Sequence, residues 1–462
     1  MKLRFSTKPW KHQREALKYF MPLNFGALYT DMGSGKTKIM VDLIRNRGWG
    51  KVLIVCPKKV ARVWPREFQK HARRADINVI DVSDIAGAKK PTHIRESVLN
   101  NKLAQQVIIV NYESVWRSPF REFLLKYKLD CIICDESHKI KSPASKCSRF
   151  LTLLGKRVPN RFLMTGTPLA QSPLDIYAQY RFLKPSIFGT NFGNFKDIYA
   201  NMIKDAGGFA ILDKKTPYKN LDELQEKMFS CAFKTDSEIE LPPTQDILVE
   251  FPLSPKAEKY YKELQKEGCL ELAGGTLETG NILAIITRLQ QLVSGYIPLE
   301  LDGVTKLTEI DTTRQEALKE LLEDMPASEP VVVFAKYRKD IINIRNLVKA
   351  MGRKSSELSG KRDTMHRWEA GKTTVLVVQI SSGAEGIDLT RARYCVYYTL
   401  TPSLGQYLQS RKRIHRPGQD KPVIYYTLIA KMKKGKTIDE KILEALKNNK
   451  RVVDSIMEDG SI

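Results

Sequence analysis

Apolar residues along this chain come in short runs separated by longer stretches with helical spacing. Five runs in the first half read as strands: Ala27 to Tyr29, Val52 to Cys56, Val107 to Asn111, Cys131 to Cys134 and Arg161 to Met164. Mixed segments such as Lys36 to Arg47 and Leu174 to Phe182 repeat their apolar positions at helical intervals. Runs that are apolar throughout belong to strands buried on both faces. Their alternation with helices is the rhythm of a parallel sheet covered on both sides.

A second set begins later, with strands expected at Ile247 to Phe251, Val331 to Phe334, Val375 to Gln379, Tyr394 to Tyr398 and Ile424 to Leu428. Between its first two members lie the helical stretches Pro255 to Leu272, Ile282 to Leu292 and Arg314 to Met325. The last of these places Ala317, Leu318, Leu321, Leu322 and Met325 on one face. The two sets meet at Leu241-Pro242-Pro243, where consecutive prolines remove backbone donors and block helix continuation. The fold class expected is α/β, with two doubly wound parallel-sheet domains in tandem, 1–238 and 239–462. Short helical insertions are expected at about 171–230 and about 255–325.

Composition narrows the setting. A chain of 462 residues with 42% hydrophobic and 28% charged positions is neither a disordered polymer nor a membrane protein. No apolar run approaches the roughly 18 residues of a spanning helix. Met1 to Ser6 is basic with no apolar stretch behind it, so no secretory signal is expected. Seven cysteines, an odd number without framework spacing, suit a reducing intracellular compartment, the cytoplasm. Cys131 and Cys134 mimic a metal-binding pair, but on a strand residues three apart face opposite ways, and no second pair follows at zinc spacing. The six histidines do not cluster either. The 76 basic against 52 acidic residues leave +24, which favours a polyanionic partner without separating DNA, RNA or anionic lipid.

The sharpest chemical signal is Thr30-Asp31-Met32-Gly33-Ser34-Gly35-Lys36-Thr37, between an expected strand and an expected helix. Gly33, Ser34 and Gly35 let successive backbone N–H groups face phosphates, and the helix N-terminus adds partial positive charge. Lys36 then reaches the terminal phosphates, and the Thr37 hydroxyl is placed for Mg²⁺. The full phosphate-loop pattern asks for glycine where this chain has Thr30. Downstream, the apolar run Cys131 to Cys134 ends in Asp135-Glu136. Asp135 is the candidate to hold Mg²⁺ and Glu136 to polarise the attacking water. Together these segments point to a nucleoside triphosphatase using ATP and Mg²⁺.

With those residues in view, the chain resembles superfamily 2 helicase-type ATPases, and specifically the SNF2 group of DNA translocases. Lys8 to Gln13 resembles the segment in which a glutamine, here Gln13, reads adenine. Asp31 to Thr37 and Asp135 to His138 resemble motifs I and II, Val110 to Glu113 motif Ib, and Met164 to Pro168 motif III. Ser382 to Thr390 resembles motif V, bringing Gly386 and Asp388 to the nucleotide. Gln409 to Gln419 resembles motif VI, and its Gly-Gln ending with Lys421 to Tyr426 marks the SNF2 group. The resemblance runs from about residue 8 to about 445. It implies two RecA-like lobes with a nucleotide cleft between them, and duplex nucleic acid across both. Two departures stand out: Ser137 where the family usually has glycine, and Lys412 where it commonly has an acid. No room is left for an appended reader domain, which implies a compact viral (phage) or prokaryotic type.

The resemblance also places Arg413 and Arg416 at the γ-phosphate, Arg416 as the finger. Their spacing of three reads as one helix face. Candidate nucleic-acid contacts are Lys58 and Lys59 at the motif Ia position, Ser381 and Ser382 at the mouth of motif V, and Lys431, Lys433 and Lys434 in a later basic loop. Trp368, Tyr394, Tyr397 and Tyr398 read as core. The function expected is ATP-driven translocation on duplex or branched DNA without sequence preference. Three alternatives stay open: a strand-separating or branch-migrating helicase, an RNA-dependent ATPase or remodeller, and a nucleic-acid-binding module with weak ATPase.

Overall fold

The computed structural model describes all residues except 1–2, 31–32, 73–76, 102, 167, 170–171, 205–209, 214–215, 236–240, 274–278, 302–303, 384–386 and 449–462. Residues divide into two compact units, Met1–Ile239 and Glu240–Ile462.

The first unit is built on β1 (Phe25–Thr30), β2 (Lys51–Cys56), β3 (Ile77–Asp81), β4 (Gln105–Asn111), β5 (Cys131–Asp135) and β6 (Asn160–Thr165). A small antiparallel hairpin follows, β7 (Met202–Lys204) with β8 (Ala210–Leu212), and then β9 (Ala232–Thr235). The main sheet runs β3-β4-β2-β5-β6-β1-β9, with every pairing parallel. Alternate residues feed two cores, one on each face: Leu53 and Val55 pack on one side, Val52 and Ile54 on the other. Cys131 and Cys134 are divided the same way, so the apparent pair is split by the sheet. Burial pushes both thiols well above the usual range. The segment expected as a helical insertion holds helices Ile176–Leu183, Phe192–Tyr199 and Leu221–Phe229, together with the β7–β8 hairpin.

The second unit contains β10 (Thr244–Pro252), the antiparallel hairpin of β11 (Tyr296–Leu301) and β12 (Val304–Glu309), then β13 (Val331–Ala335), β14 (Ser355–Leu358), β15 (Val375–Gln379), β16 (Tyr394–Tyr397) and β17 (Val423–Lys431). Its sheet order is β10-β17-β16-β13-β15-β14, again wholly parallel. The inserted helices Pro255–Ala273 and Thr279–Val293 are 19 and 15 residues long, more than short additions, and the β11–β12 hairpin follows them. Trp368, Tyr397 and Tyr398 are core residues, and Tyr394 packs against that core. Among the described residues no helix is long and apolar enough to cross a membrane.

A fully buried ion pair, Arg314–Asp439, braces this unit. The guanidinium also donates to the carbonyls of Val293 (3.0 Å) and Tyr398, and Asp439 accepts the Ala430 N–H at 3.2 Å. Removing one partner strands a charge in the core, which typically costs about 3–5 kcal/mol. Asp439→Ala is therefore expected to lower unfolding free energy by about that amount, read from the urea midpoint at unchanged slope.

Candidate functional site

The phosphate loop leaves the C-terminal end of β1 and ends at Gly35, the residue that precedes helix Lys36–Arg47. Gly33 and Gly35 both have left-handed backbone, with φ of 86° and 76°. Any side chain at Gly35 would also collide with the Gln13 amide, since a Cβ there would lie 2.3 Å from Nε2. Lys36 is buried, and its Nζ donates to the Thr30 carbonyl at 3.0 Å. Ser34 donates its hydroxyl to that of Thr30 at 2.8 Å. The threonine standing where a glycine is usual thus braces the loop from within. Thr37 is half-buried in the first turn of the helix. Asp31 lies outside the described residues.

Gln13 is buried beneath this loop. Its Nε2 donates to the Ser34 carbonyl at 3.1 Å, and its Oε1 accepts the Trp10 N–H at 3.0 Å. Both ends of the amide therefore hold the loop and its own helix start, a use that the adenine-reading role did not anticipate. His12 Nε2 contacts the same Ser34 carbonyl at 2.8 Å.

The acidic pair sits at the C-terminal end of β5, separated from β1 by the single strand β6. In parallel sheets this edge is where ligands bind, because loops and helix N-termini converge there. Asp135 is buried, and desolvation first, then the neighbouring Glu136 charge, raise its carboxyl to about 7 against the opposing charge of Lys36. The Glu136 carboxylate accepts from the Thr165 hydroxyl at 3.3 Å, and His138 Nδ1 lies 3.4 Å from both groups. Motif II and the end of β6 are thereby joined. Ser137, the departure from glycine, is fully buried and donates to Gln179 Oε1 at 2.7 Å. Gln179 in turn donates to the carbonyls of Pro168 (2.8 Å) and Asp175 (3.0 Å). The added hydroxyl is matched by a partner, forming a second link between the two motifs. Sequence reading missed Gln179 and also Trp64, whose indole N–H donates to Asp135 Oδ2 at 3.1 Å. The available signal for Trp64 was a tryptophan shortly after the β2 end.

In the second unit, Arg413 is buried in the last turn of helix Leu404–Ile414, and its carbonyl accepts the Leu389 N–H at 3.0 Å. Arg416 Nη1 lies 3.4 Å from the Ile387 carbonyl, and Gln419 Nε2 donates to the carbonyls of Thr390 (3.1 Å) and Ala392 (2.8 Å). Motifs V and VI are thus stitched together. The two arginines do not share a helix face, however. The helix ends at Ile414, His415 turns out with φ −88° and ψ 88°, and Arg416 follows beyond it. Pro417 is the physical reason, because its ring disfavours helical backbone at the residue before it. Asp388 is exposed and spends Oδ1 on the Thr390 N–H (3.0 Å) and hydroxyl (2.7 Å). Gly386 and the Ser382 side chain lie outside the described residues.

Among the candidate nucleic-acid contacts, Lys58 and Lys59 open the short helix Lys58–Ala61 directly after β2, both exposed. Lys58 pairs with Asp84 at 3.3 Å. Ser381 is exposed after β15. Lys433 and Lys434 are exposed in the loop after β17. Lys431 is half-buried and paired with Glu250 at 3.0 Å and Glu440 at 2.6 Å.

Residues 12–295 match the model of the SNF2-related domain, and residues 313–418 match that of the helicase conserved C-terminal domain. The chain belongs to the SNF2-related family. It is similar to an uncharacterized ATP-dependent helicase of Mycoplasma pneumoniae, 25% identical over 469 residues, covering 96% of this chain and 41% of that protein. It is also similar to the DNA repair and recombination protein RDH54 of Saccharomyces cerevisiae, 26% identical over 466 residues, covering 90% of this chain and 50% of the other. This SNF2-related chain therefore spans half or less of the length of those curated relatives. A solved Sulfolobus solfataricus SWI2/SNF2 ATPase core in complex with dsDNA aligns over all of this chain and 96% of its own, at 21% identity and a TM-score of 0.44.

Proposed function

We propose that this SNF2-related protein hydrolyses ATP to move along duplex or branched DNA without sequence preference. The observation that carries the reading is the pairing, at one edge of one parallel sheet, of a phosphate loop with a buried carboxylate pair. Membership of the SNF2-related family supports the coupling to nucleic acid. So does the similarity to the yeast DNA repair and recombination protein.

In this reading the N–H groups of Gly33 to Thr37 cradle the phosphates and Lys36 exchanges the Thr30 carbonyl for a phosphate oxygen. The Thr37 hydroxyl and Asp135 carboxylate form an oxygen-only donor set, which fits a hard cation such as Mg²⁺. Bound there, Mg²⁺ would neutralise charge on the phosphate oxygens. Glu136 orients and deprotonates the attacking water, with Thr165 and His138 fixing its carboxylate. Arg413 and Arg416 meet the charge that develops on the γ-phosphate. Gln13 acts through the loop it buttresses. The +24 charge supplies phosphate contacts that are strong, salt-dependent and indifferent to sequence.

The test is ATP turnover titrated in parallel with linear duplex, forked duplex, single-stranded DNA and RNA at low salt. Duplex or forked DNA is expected to raise turnover at least tenfold (about 1.4 kcal/mol of barrier). Equal turnover with and without any polymer would overturn the coupling, and stimulation by RNA alone would replace DNA as the track.

A further inference from the structure

Trp64 is fully buried on helix Val63–His71, where its ring packs beside Phe68 with centroids 6.1 Å apart. A buried indole must deliver its N–H to an acceptor, and main-chain carbonyls are the common choice. Here the acceptor is one carboxylate oxygen of Asp135, at 3.1 Å. A second hold comes from Tyr112, whose hydroxyl donates to the Asp135 carbonyl at 2.7 Å. Trp64 follows β2 and Tyr112 follows β4, and the sheet places β4, β2 and β5 side by side in that order. Asp135 is thus fixed at both side chain and main chain by segments that leave the two strands next along the sheet.

We infer that Trp64 is a positioning residue for the metal-binding carboxylate: its N–H occupies Oδ2 and leaves the other oxygen as the one presented to the cation. The inference rests on the assignment of Asp135 to Mg²⁺ proposed above. A freely rotating aspartate presents two equivalent oxygens and pays rotamer entropy each time it binds. A carboxylate held by a rigid bicyclic donor has already lost that freedom. Partners of this outer kind typically change metal affinity by about 10–100-fold when removed. Trp64 contributes no group to the nucleotide or the water in this scheme, so its effect should be confined to the metal.

The experiment uses the full chain and a fluorescent non-hydrolysable ATP analogue, titrated with Mg²⁺ and, separately, in excess EDTA. Trp64→Phe keeps an aromatic ring in the core and removes the donor. It is expected to raise the half-saturating Mg²⁺ concentration for analogue binding about tenfold, with affinity in EDTA unchanged. Trp64→His, which returns a ring N–H, should recover part of the loss. If the Phe variant does not fold, benzothienylalanine at position 64 replaces the N–H by sulfur in nearly the same shape and answers the same question. A Mg²⁺ titration indistinguishable from the parent overturns the inference, leaving the indole as packing alone. An equal loss of affinity in EDTA also overturns it, because the damage is then to the pocket. If the parent protein shows no Mg²⁺-dependent analogue binding at all, the Asp135 assignment itself has failed.

Discussion

Lys36→Ala is expected to reduce polymer-stimulated ATP turnover by at least about 10²–10³, the usual cost of deleting one transition-state donor, while leaving duplex affinity within about twofold. The lysine is buried and points at the loop's own backbone, bonded to the Thr30 carbonyl. It has no place on a surface that could meet a polymer. Its ammonium is a compact charge that exchanges one oxygen partner for another as phosphate arrives. The change to Ala removes that charge without touching the two left-handed glycines that shape the loop. Steady-state turnover and anisotropy with labelled duplex, measured on the same preparation, separate the two effects. A fall in duplex affinity as large as the fall in turnover would assign Lys36 to the wrong phosphate.

Arg416→Lys should lower turnover by about two orders of magnitude or more, since arginines that stabilise phosphoryl transfer contribute about 10³–10⁵ in rate. The substitution keeps the charge and removes the planar fork. The structure adds a reason to favour Arg416 over its neighbour. Arg413 is buried in a helical turn, whereas Arg416 lies past the helix end and is tethered through one terminal nitrogen at 3.4 Å. Its Nε has no hydrogen-bond partner among the described residues. Spare donors on a loosely tethered side chain can be redirected at little cost. Analogue binding should weaken only modestly, and DNA affinity should hardly change. Turnover at saturating DNA, compared among the parent, Arg413→Lys and Arg416→Lys, decides the assignment. Loss in the first variant with retention in the second would move the finger to Arg413, and retention in both would reduce the run to a basic face.

The central strands of both main sheets were legible and three of the four edge strands were not, for one physical reason. Strands β2, β5, β13 and β15 are flanked by neighbours and covered on both faces, so their interiors are unbroken apolar runs, with polar residues only at an end, and the run announces itself. Of the main-sheet strands the pattern passed over β3, β9 and β14, each at the edge of its sheet, whereas β10, also at an edge, was read from Ile247 to Phe251. The hairpin strands β7, β8, β11 and β12 were passed over as well. The three missed edge strands are short, four or five residues, and polar residues interrupt the apolar ones, most completely in Ser355-Ser356-Glu357-Leu358. The segments proposed for catalysis stood out in the sequence because phosphate chemistry demands particular residue types in sequence order. Gln179 and Trp64 were not, since each acts through a contact made only in space. Arg416 was misplaced on a helix although Pro417 stood beside it in the sequence, a constraint available from the start.

Glu136 carries a cost that its neighbours do not. Its backbone has φ 52° and ψ 54°, a left-handed conformation that clashes with an L side chain and disfavours it by about 1–2 kcal/mol. Glycine would sit there without strain and, by stability alone, would be the better residue. The fold instead retains a carboxylate at a place where only the backbone of glycine is comfortable. A strained carboxylate of this kind singles Glu136 out as a candidate functional residue. That trade points to the same residue as the motif does, through a measurement that needs no motif. A search for charged residues held in left-handed backbone at the ends of parallel strands would find this site in a sequence whose signatures had drifted beyond recognition.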